Sequence, residues 1–294
     1  MEIKTIGVIG AGAMGRGIAY AASLGGYRTV LEDVSPEMRE QGLSYISQTL
    51  EDEVSRGKLT LQQKEKALAN LSTSRSVEDV CREADLLIEA VPEEMEVKLE
   101  IFTIFDKFAK PGAILASNTS SLSITEMASI TFRAEDCIGM HFFDPVPEMK
   151  LLEIVRALET SEATLQTCVE VGRRMGKEVV VIRESPGFVT SRIDAMIGNE
   201  AFYMLQEGIA SAEDIDKALK LGLNHPMGPF ELADLVGLDV RLNTLENLHK
   251  TLGEKYRPCP LLAQYVKAGR TGRKSGRGVF EYGKEAAKKW FGDF

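Results

Sequence analysis

One segment near the start limits the possible folds more than any other: Lys4-Thr5-Ile6-Gly7-Val8-Ile9-Gly10-Ala11-Gly12-Ala13-Met14-Gly15, running straight into Ile18-Ala19-Tyr20-Ala21-Ala22. An apolar run that stops at a glycine and continues into small residues reads as strand, tight turn and helix. Gly10 makes the turn, Gly12 lets a pyrophosphate approach the backbone, and Gly15 lets the helix lie close to the sheet. Ala11, Ala13 and Met14 complete the same binding loop. The first N–H groups of the helix have no internal partners, so they and the helix dipole favour an anion by about 0.3–2 kcal/mol. A dinucleotide is therefore expected there.

The context agrees. A second strand-like run, Tyr27-Arg28-Thr29-Val30-Leu31, ends in Glu32-Asp33. An acid about 20 positions beyond the glycines is placed to grip a ribose hydroxyl. Asp33 fits at the carboxyl end of that strand, with Glu32 pointing to the other face. Val34 and Ser35 follow, so no adjacent cation awaits a 2′-phosphate, which favours NAD over NADP.

At 294 residues the chain has room for two domains, each with a core. Its 44% apolar and 27% charged content is that of an ordinary soluble globular protein, and a formal charge of −9 argues against nucleic acid. Cys81, Cys137, Cys168 and Cys259 are far apart and have no histidine at ligand spacing. They read as small core thiols of a reducing compartment, and no metal site is expected. No apolar run reaches the ~18 residues of a membrane helix. The first strand follows Met1 too closely for a signal segment, so a cytoplasmic protein is expected.

Strand-like runs alternate with helical patterns through residue 185: Thr5–Gly10, Tyr27–Glu32, Leu86–Val91, Ala113–Ser117, Cys137–Phe143, Leu151–Val155 and Glu178–Ile182. The expected fold is α/β, a doubly wound, mostly parallel, Rossmann-like sheet over residues 1–185. The stretch 36–69 is polar, helical and broken at Gly57, and reads as an inserted helical hairpin with Pro36 in a first turn. Residues 186–294 read as an all-α C-terminal domain with helices Val189–Gln206, Ser211–Leu221, Gly228–Thr251 and Pro260–Lys267, and one short strand-like run, Gly278–Tyr282. Such a domain suits a homodimer interface.

Of three histidines, His249 sits in a helical run and His225 precedes a proline in a turn. His141 ends a strand, where doubly wound folds place their ligand crevice. If Cys137–Phe143 and Leu151–Val155 form an antiparallel hairpin about Pro147, His141 faces Glu153 across the pair. A carboxylate on one ring nitrogen sets the tautomer and leaves the other nitrogen to accept a proton. Ser117-Asn118-Thr119-Ser120-Ser121 follows another strand into the same crevice, with hydroxyls and an amide that could orient a substrate oxygen or the nicotinamide carboxamide, or merely cap the next helix.

Taken together, Gly10–Gly15, Ile88-Glu89-Ala90-Val91-Pro92-Glu93, Ala116–Leu122, Gly139-Met140-His141-Phe142-Phe143, Pro186-Gly187-Phe188, His225-Pro226-Met227-Gly228-Pro229 and Gly272–Gly278 resemble the L-3-hydroxyacyl-CoA dehydrogenase family, 3-hydroxybutyryl-CoA type, from end to end. The resemblance implies NAD-dependent oxidation of a 3-hydroxyacyl-CoA, or the reverse, with short acyl chains favoured because no hydratase domain is fused. It implies His141 as the base, Glu153 as its orienting acid, and Ser120 near the reacting oxygen and the nicotinamide. It places Glu93, Lys98, Asn118, Asp144 and Lys274 at cofactor-contacting positions. Thr49 and Arg56, on the hairpin, fall at coenzyme A-contacting positions.

Two departures stand out. Asp144 and Ser191 each occupy a position where the family usually has Asn, the second normally helping to hold substrate beside the catalytic histidine. Serine keeps a donor and an acceptor but reaches less far, and an ionised Asp accepts without donating. Two other readings are a dehydrogenase of small free 3-hydroxy acids and a catalytically weak NAD-binding relative, as lens crystallins are. The first normally needs a lysine early in the helical domain, and Gly187–Gln206 has none.

Overall fold

The computed structural model describes residues 2–283. Met1 and residues 284–294 of the two expected domains lie outside the described residues. The chain divides into two compact units between Ser185 and Pro186.

The first unit begins with β1 (Thr5–Ile9), α1 (Ala13–Leu24), β2 (Arg28–Glu32), α2 (Pro36–Ser55) and α3 (Leu61–Ala69). It continues through β3 (Leu71–Ser74), α4 (Val77–Glu83), β4 (Leu86–Glu89), α5 (Met95–Phe108), β5 (Ile114–Ser117) and α6 (Ile124–Ser129). It closes with β6 (Cys137–Phe142), β7 (Leu151–Arg156), α7 (Glu162–Arg174) and β8 (Glu178–Arg183). The strands form one sheet in the order β3-β2-β1-β4-β5-β6-β7-β8, parallel throughout except for β6 against β7.

Both faces of the central strands are buried, so alternate residues feed two cores. Ile6, Val8, Leu86 and Ile88 join the cluster under α1 and α7, whereas Ile9, Leu87 and Leu115 join Phe102 and Phe105 of α5 on the other face. The order reverses at β1–β4, and the carboxyl ends of β1, β4, β5 and β6 share one edge. That edge is where a doubly wound sheet holds its ligand.

The expected helical hairpin is α2 and α3. The Ser35 hydroxyl accepts the Met38 N–H at the start of α2, Pro36 sits at its first position, and Gly57 turns the chain at φ +71°. Thr60 and Gln63 cap α3 reciprocally. Gly42, Ile46 and Leu50, four residues apart, form the buried stripe of α2.

One strand was not expected. β3 is Leu71-Ser72-Thr73-Ser74, half exposed and without apolar alternation, and it exists because the outer edge of β2 offers it a parallel ladder.

The second unit holds α8 (Thr190–Gln206), α9 (Ala212–Gly222), α10 (Pro229–Val236), α11 (Leu238–Leu252) and α12 (Pro260–Lys267) around its own core, which includes Phe202, Phe230, Leu245 and Leu262. The single helix expected over Gly228–Thr251 is two. Gly237, at φ +109°, takes a conformation open to few other residues and breaks the run. Gly278–Tyr282 is not a strand, having only isolated bridges. Instead the Asp234 carboxylate accepts the Val279 and Phe280 N–H groups at 2.8 and 2.9 Å and the Tyr282 hydroxyl at 3.0 Å.

Candidate active site

The glycine loop fits a dinucleotide for visible steric reasons. Gly10 has φ +96°, and a Cβ on Gly15 would fall 1.7 Å from the Gly10 carbonyl oxygen, so α1 can approach β1 only with glycine there. A Cβ on Gly12 would meet nothing within 4 Å. Gly12 is also the N-cap of α1, with no side-chain cap and no acid in the first turn. The helix start therefore offers open space and uncapped donors to a pyrophosphate.

Asp33 is held ready beside this loop. Its carboxylate accepts the Ala11 N–H and the Ser35 N–H, each at 2.9 Å, which fixes it against the glycine turn. Glu32 is 2% exposed with Oε1 lacking a partner, and burial pushes its carboxyl up to about 7.

At the ends of β4 and β5 a polar network surrounds the serine-rich loop. One oxygen of Glu93 accepts the Thr119 hydroxyl at 2.5 Å, the Ser120 N–H at 3.0 Å and the hydroxyls of Ser120 and Ser121 at 3.4 and 3.3 Å. Its other oxygen lies 3.3 Å from Lys98 Nζ. Lys98, assigned to the cofactor by resemblance, is 1% exposed and donates to both oxygens of the fully buried Glu89 at 2.9 Å. Glu89 also accepts the Ser117 hydroxyl and, at 3.2 Å, the Val91 N–H. Burial pushes the Glu89 carboxyl up, opposed by the Lys98 ammonium and the Ser117 hydroxyl. Sequence reasoning passed over Glu89 as a site residue; its signal was an acid closing the apolar run Leu86-Leu87-Ile88.

The β6–β7 register pairs His141 with Glu153. Both are buried, and Nδ1 lies 2.8 Å from Glu153 Oε2. The Phe143 ring packs on the imidazole at a centroid distance of 4.4 Å. Asn118 does not point to open space: its Oδ1 accepts the Phe142 N–H at 2.9 Å, tying the serine loop to the strand that carries His141. Just beyond, Asp144 is raised above the usual carboxylate range by desolvation and by Glu148, with the Arg16 guanidinium opposing.

On the hairpin, the Thr49 hydroxyl donates to the Tyr45 carbonyl at 2.8 Å and the side chain is half-buried. Arg56 is exposed and lines a groove of about 530 Å³ with Lys58, Lys150, Lys177, Glu53 and Glu148. Glu53 lies 3.9 Å from Arg56 and 3.1 Å from Lys58, so α2 and the β6–β7 turn share a cleft whose cations outnumber its acids. In the second unit, Ser191 is half-buried in the first turn of α8. Lys274 Nζ lies 2.6 Å from the Asp239 carboxylate. Of the residues named from sequence, the glycine loop with Asp33, the Glu93–Lys98–Ser120 group, and His141 with Glu153 and Asn118 thus share one sheet edge of the first unit.

A glycine cradle at the edge of a doubly wound sheet, in a chain with a separate helical unit, places the protein in the dinucleotide-binding α/β class. Residues 5–185 match the family described as "3-hydroxyacyl-CoA dehydrogenase, NAD binding domain", and residues 187–282 match "3-hydroxyacyl-CoA dehydrogenase, C-terminal domain". The "Probable 3-hydroxybutyryl-CoA dehydrogenase" of Bacillus subtilis (strain 168) is 48% identical over 283 residues, covering 96% of this chain and 98% of that protein. The mitochondrial hydroxyacyl-coenzyme A dehydrogenase of Homo sapiens is 38% identical over 288 residues, 95% of this chain and 91% of that protein. The crystal structure of (S)-3-hydroxybutyryl-CoA dehydrogenase PaaH1 from Ralstonia eutropha superposes with a TM-score of 0.93 at 43% identity, covering 96% of this chain and all of that one. The chain belongs to the 3-hydroxyacyl-CoA dehydrogenase family. It is an NAD-dependent dehydrogenase that interconverts a 3-hydroxyacyl-CoA and its 3-oxoacyl-CoA.

Proposed function

We propose that the chain acts on short acyl thioesters, 3-hydroxybutyryl-CoA foremost, with His141 as general base and Glu153 as the acid that orients it. The observation that carries this reading is the buried His141–Glu153 pair at 2.8 Å, at the sheet edge that also bears the glycine cradle. With Nδ1–H donated to the carboxylate, the lone pair lies on Nε2, which takes the 3-hydroxyl proton. The resulting imidazolium is stabilised by the ionised Glu153. Bound NAD supplies the hydride acceptor for the carbon that bears this hydroxyl. Ser120, held by Glu93, orients the substrate oxygen, and the net-positive cleft at Arg56 receives the coenzyme A phosphates, which charge-assisted hydrogen bonds favour. Ser191 and Lys274 belong to the second unit, and we assign them to the substrate and the cofactor on resemblance.

The exposed Val189, Ile193, Val236 and Val240 of the second unit support a homodimer formed through the helical unit. Four buried, unbridged thiols, with Cys81 and Cys168 pushed up to about 12 by burial, suit a cytoplasmic setting.

The test is NADH formation across a chain-length series of (S)-3-hydroxyacyl-CoA thioesters, with free 3-hydroxybutyrate as control. Turnover should peak at the four-carbon thioester. His141→Ala should lose at least about a hundredfold in kcat while still binding NADH. Normal turnover by that variant would remove the base assignment, and tight NAD binding with no turnover of any thioester would point to the crystallin-like alternative.

A further inference from the structure

We propose that Glu89, acting through Lys98, is a positioning residue that sets the height and orientation of the Ser117–Ser121 loop over the cofactor edge. The proposal deepens the reading of Ser120 given above and rests on it.

Lys98 has three N–H donors and four acceptors about them: both Glu89 oxygens at 2.9 Å, the Val91 carbonyl at 3.4 Å and Glu93 Oε2 at 3.3 Å. At 1% exposure no donor is left for a ligand. The lysine therefore works on its protein neighbours. The two carboxylates it joins differ sharply: Glu89 is fully buried, whereas the Glu93 side chain is 41% exposed. Glu93 on its own would be a solvated side chain free to swing. Fixed by Lys98 at one oxygen, it presents the other to four donors from Thr119, Ser120 and Ser121. Glu89 takes the near end of the same loop, since the Ser117 hydroxyl that it holds accepts the Thr119 N–H at 3.1 Å.

The loop is thus pinned at both ends by one carboxylate–ammonium–carboxylate chain rooted in β4. Backbone hydrogen bonding adds to this, because the Asn118 N–H donates to the Glu89 carbonyl at 3.0 Å. A pair serving stability alone would be as good with its far side facing apolar residues. Here, apart from two contacts to the Val91 backbone, the remaining contacts of the pair lead to the loop through Ser117 and Glu93.

The experiment reads the loop directly and turnover separately, using the full chain with NADH bound. Hydrogen exchange over residues 117–122, followed by mass spectrometry, should quicken about tenfold in Glu89→Gln. kcat for 3-hydroxybutyryl-CoA should fall about tenfold, with the NADH dissociation constant within about twofold, since the glycine cradle and Asp33 are untouched. Glu89→Gln combined with Lys98→Met removes both buried charges. It should regain thermal stability but not kcat. Unchanged loop exchange in Glu89→Gln, or kcat recovering together with melting temperature in the double variant, would overturn the proposal. Should Glu89→Gln not fold, Ser117→Ala cuts the same link without a charge change, and unchanged exchange there overturns it equally. Loss of the base assignment in the His141→Ala test leaves the exchange result standing, so the two failures are separable.

Discussion

His141 differs from the other two histidines in what it faces. His249 lies on Glu254 near the surface, and His225 follows Asn224 at φ +57° in a turn, whereas His141 and its carboxylate are both buried. Glu153→Gln keeps the shape but lets the ring take the other tautomer. kcat should fall about 10²- to 10⁴-fold with little change in NADH binding, measured by steady-state kinetics and fluorescence titration.

Glu32 gives a second prediction at this scale. A carboxyl held at about 7, against an ordinary 4.5, binds its proton more tightly folded than unfolded. Stability therefore falls as pH rises from about 4.5 through about 7, and the loss is complete above that. Glu32→Gln should be as stable as the parent near pH 4 and more stable at pH 8, by up to about 3 kcal/mol in denaturant unfolding. A parent and variant of equal stability at pH 8 would contradict this. The partner of His141 could be counted across a hairpin from sequence. The partnership of Glu89 could not, because it needs β4, α5 and β5 to converge, and no local pattern reports that.

At the scale of elements, the glycines of the first turn separate binding from folding. Gly12→Ala meets nothing, so unfolding free energy should change by less than about 1 kcal/mol while NAD affinity falls at least about tenfold, because the methyl occupies the pyrophosphate approach. Gly15→Ala drives a methyl into the Gly10 carbonyl and should lower stability and NAD binding together. Calorimetry and NADH titration of both variants check the contrast. In the helical unit, Gly237→Ala should cost at least about 1 kcal/mol, from the positive φ and from a Cβ 2.8 Å from Asp239 Oδ1. The α2–α3 hairpin was legible because Pro36 marks its start and Gly57 breaks its two helices apart. β3 and the break at Gly237 were not: Leu-Ser-Thr-Ser becomes a strand only beside β2, and a glycine inside an apolar helical run reads as tolerated until its φ is known.

Across the whole molecule, each unit has its own apolar core, and the second also exposes Val189, Ile193, Val236 and Val240. A homodimer that buries these side chains should be weakened by Ile193→Glu. Sedimentation equilibrium should show the parent as a dimer at micromolar concentration and the variant shifted toward monomer, with its helical content retained.

By itself, the order of residues determined the dinucleotide cradle, the acid that follows it, the alternation of strands and helices and the histidine's partner. Each is written in local spacing: glycines at fixed offsets, apolar periods of two and of about 3.6, and a countable hairpin. Only the tertiary structure decided that Lys98 is enclosed by Glu89 and Glu93, that Asn118 ties one loop to the next strand, that an edge turns Leu71–Ser74 into β3, and that Arg56 shares a cleft with Lys150. These depend on which distant segments meet, and burial and hydrogen-bond satisfaction settle that only when the whole sheet is assembled.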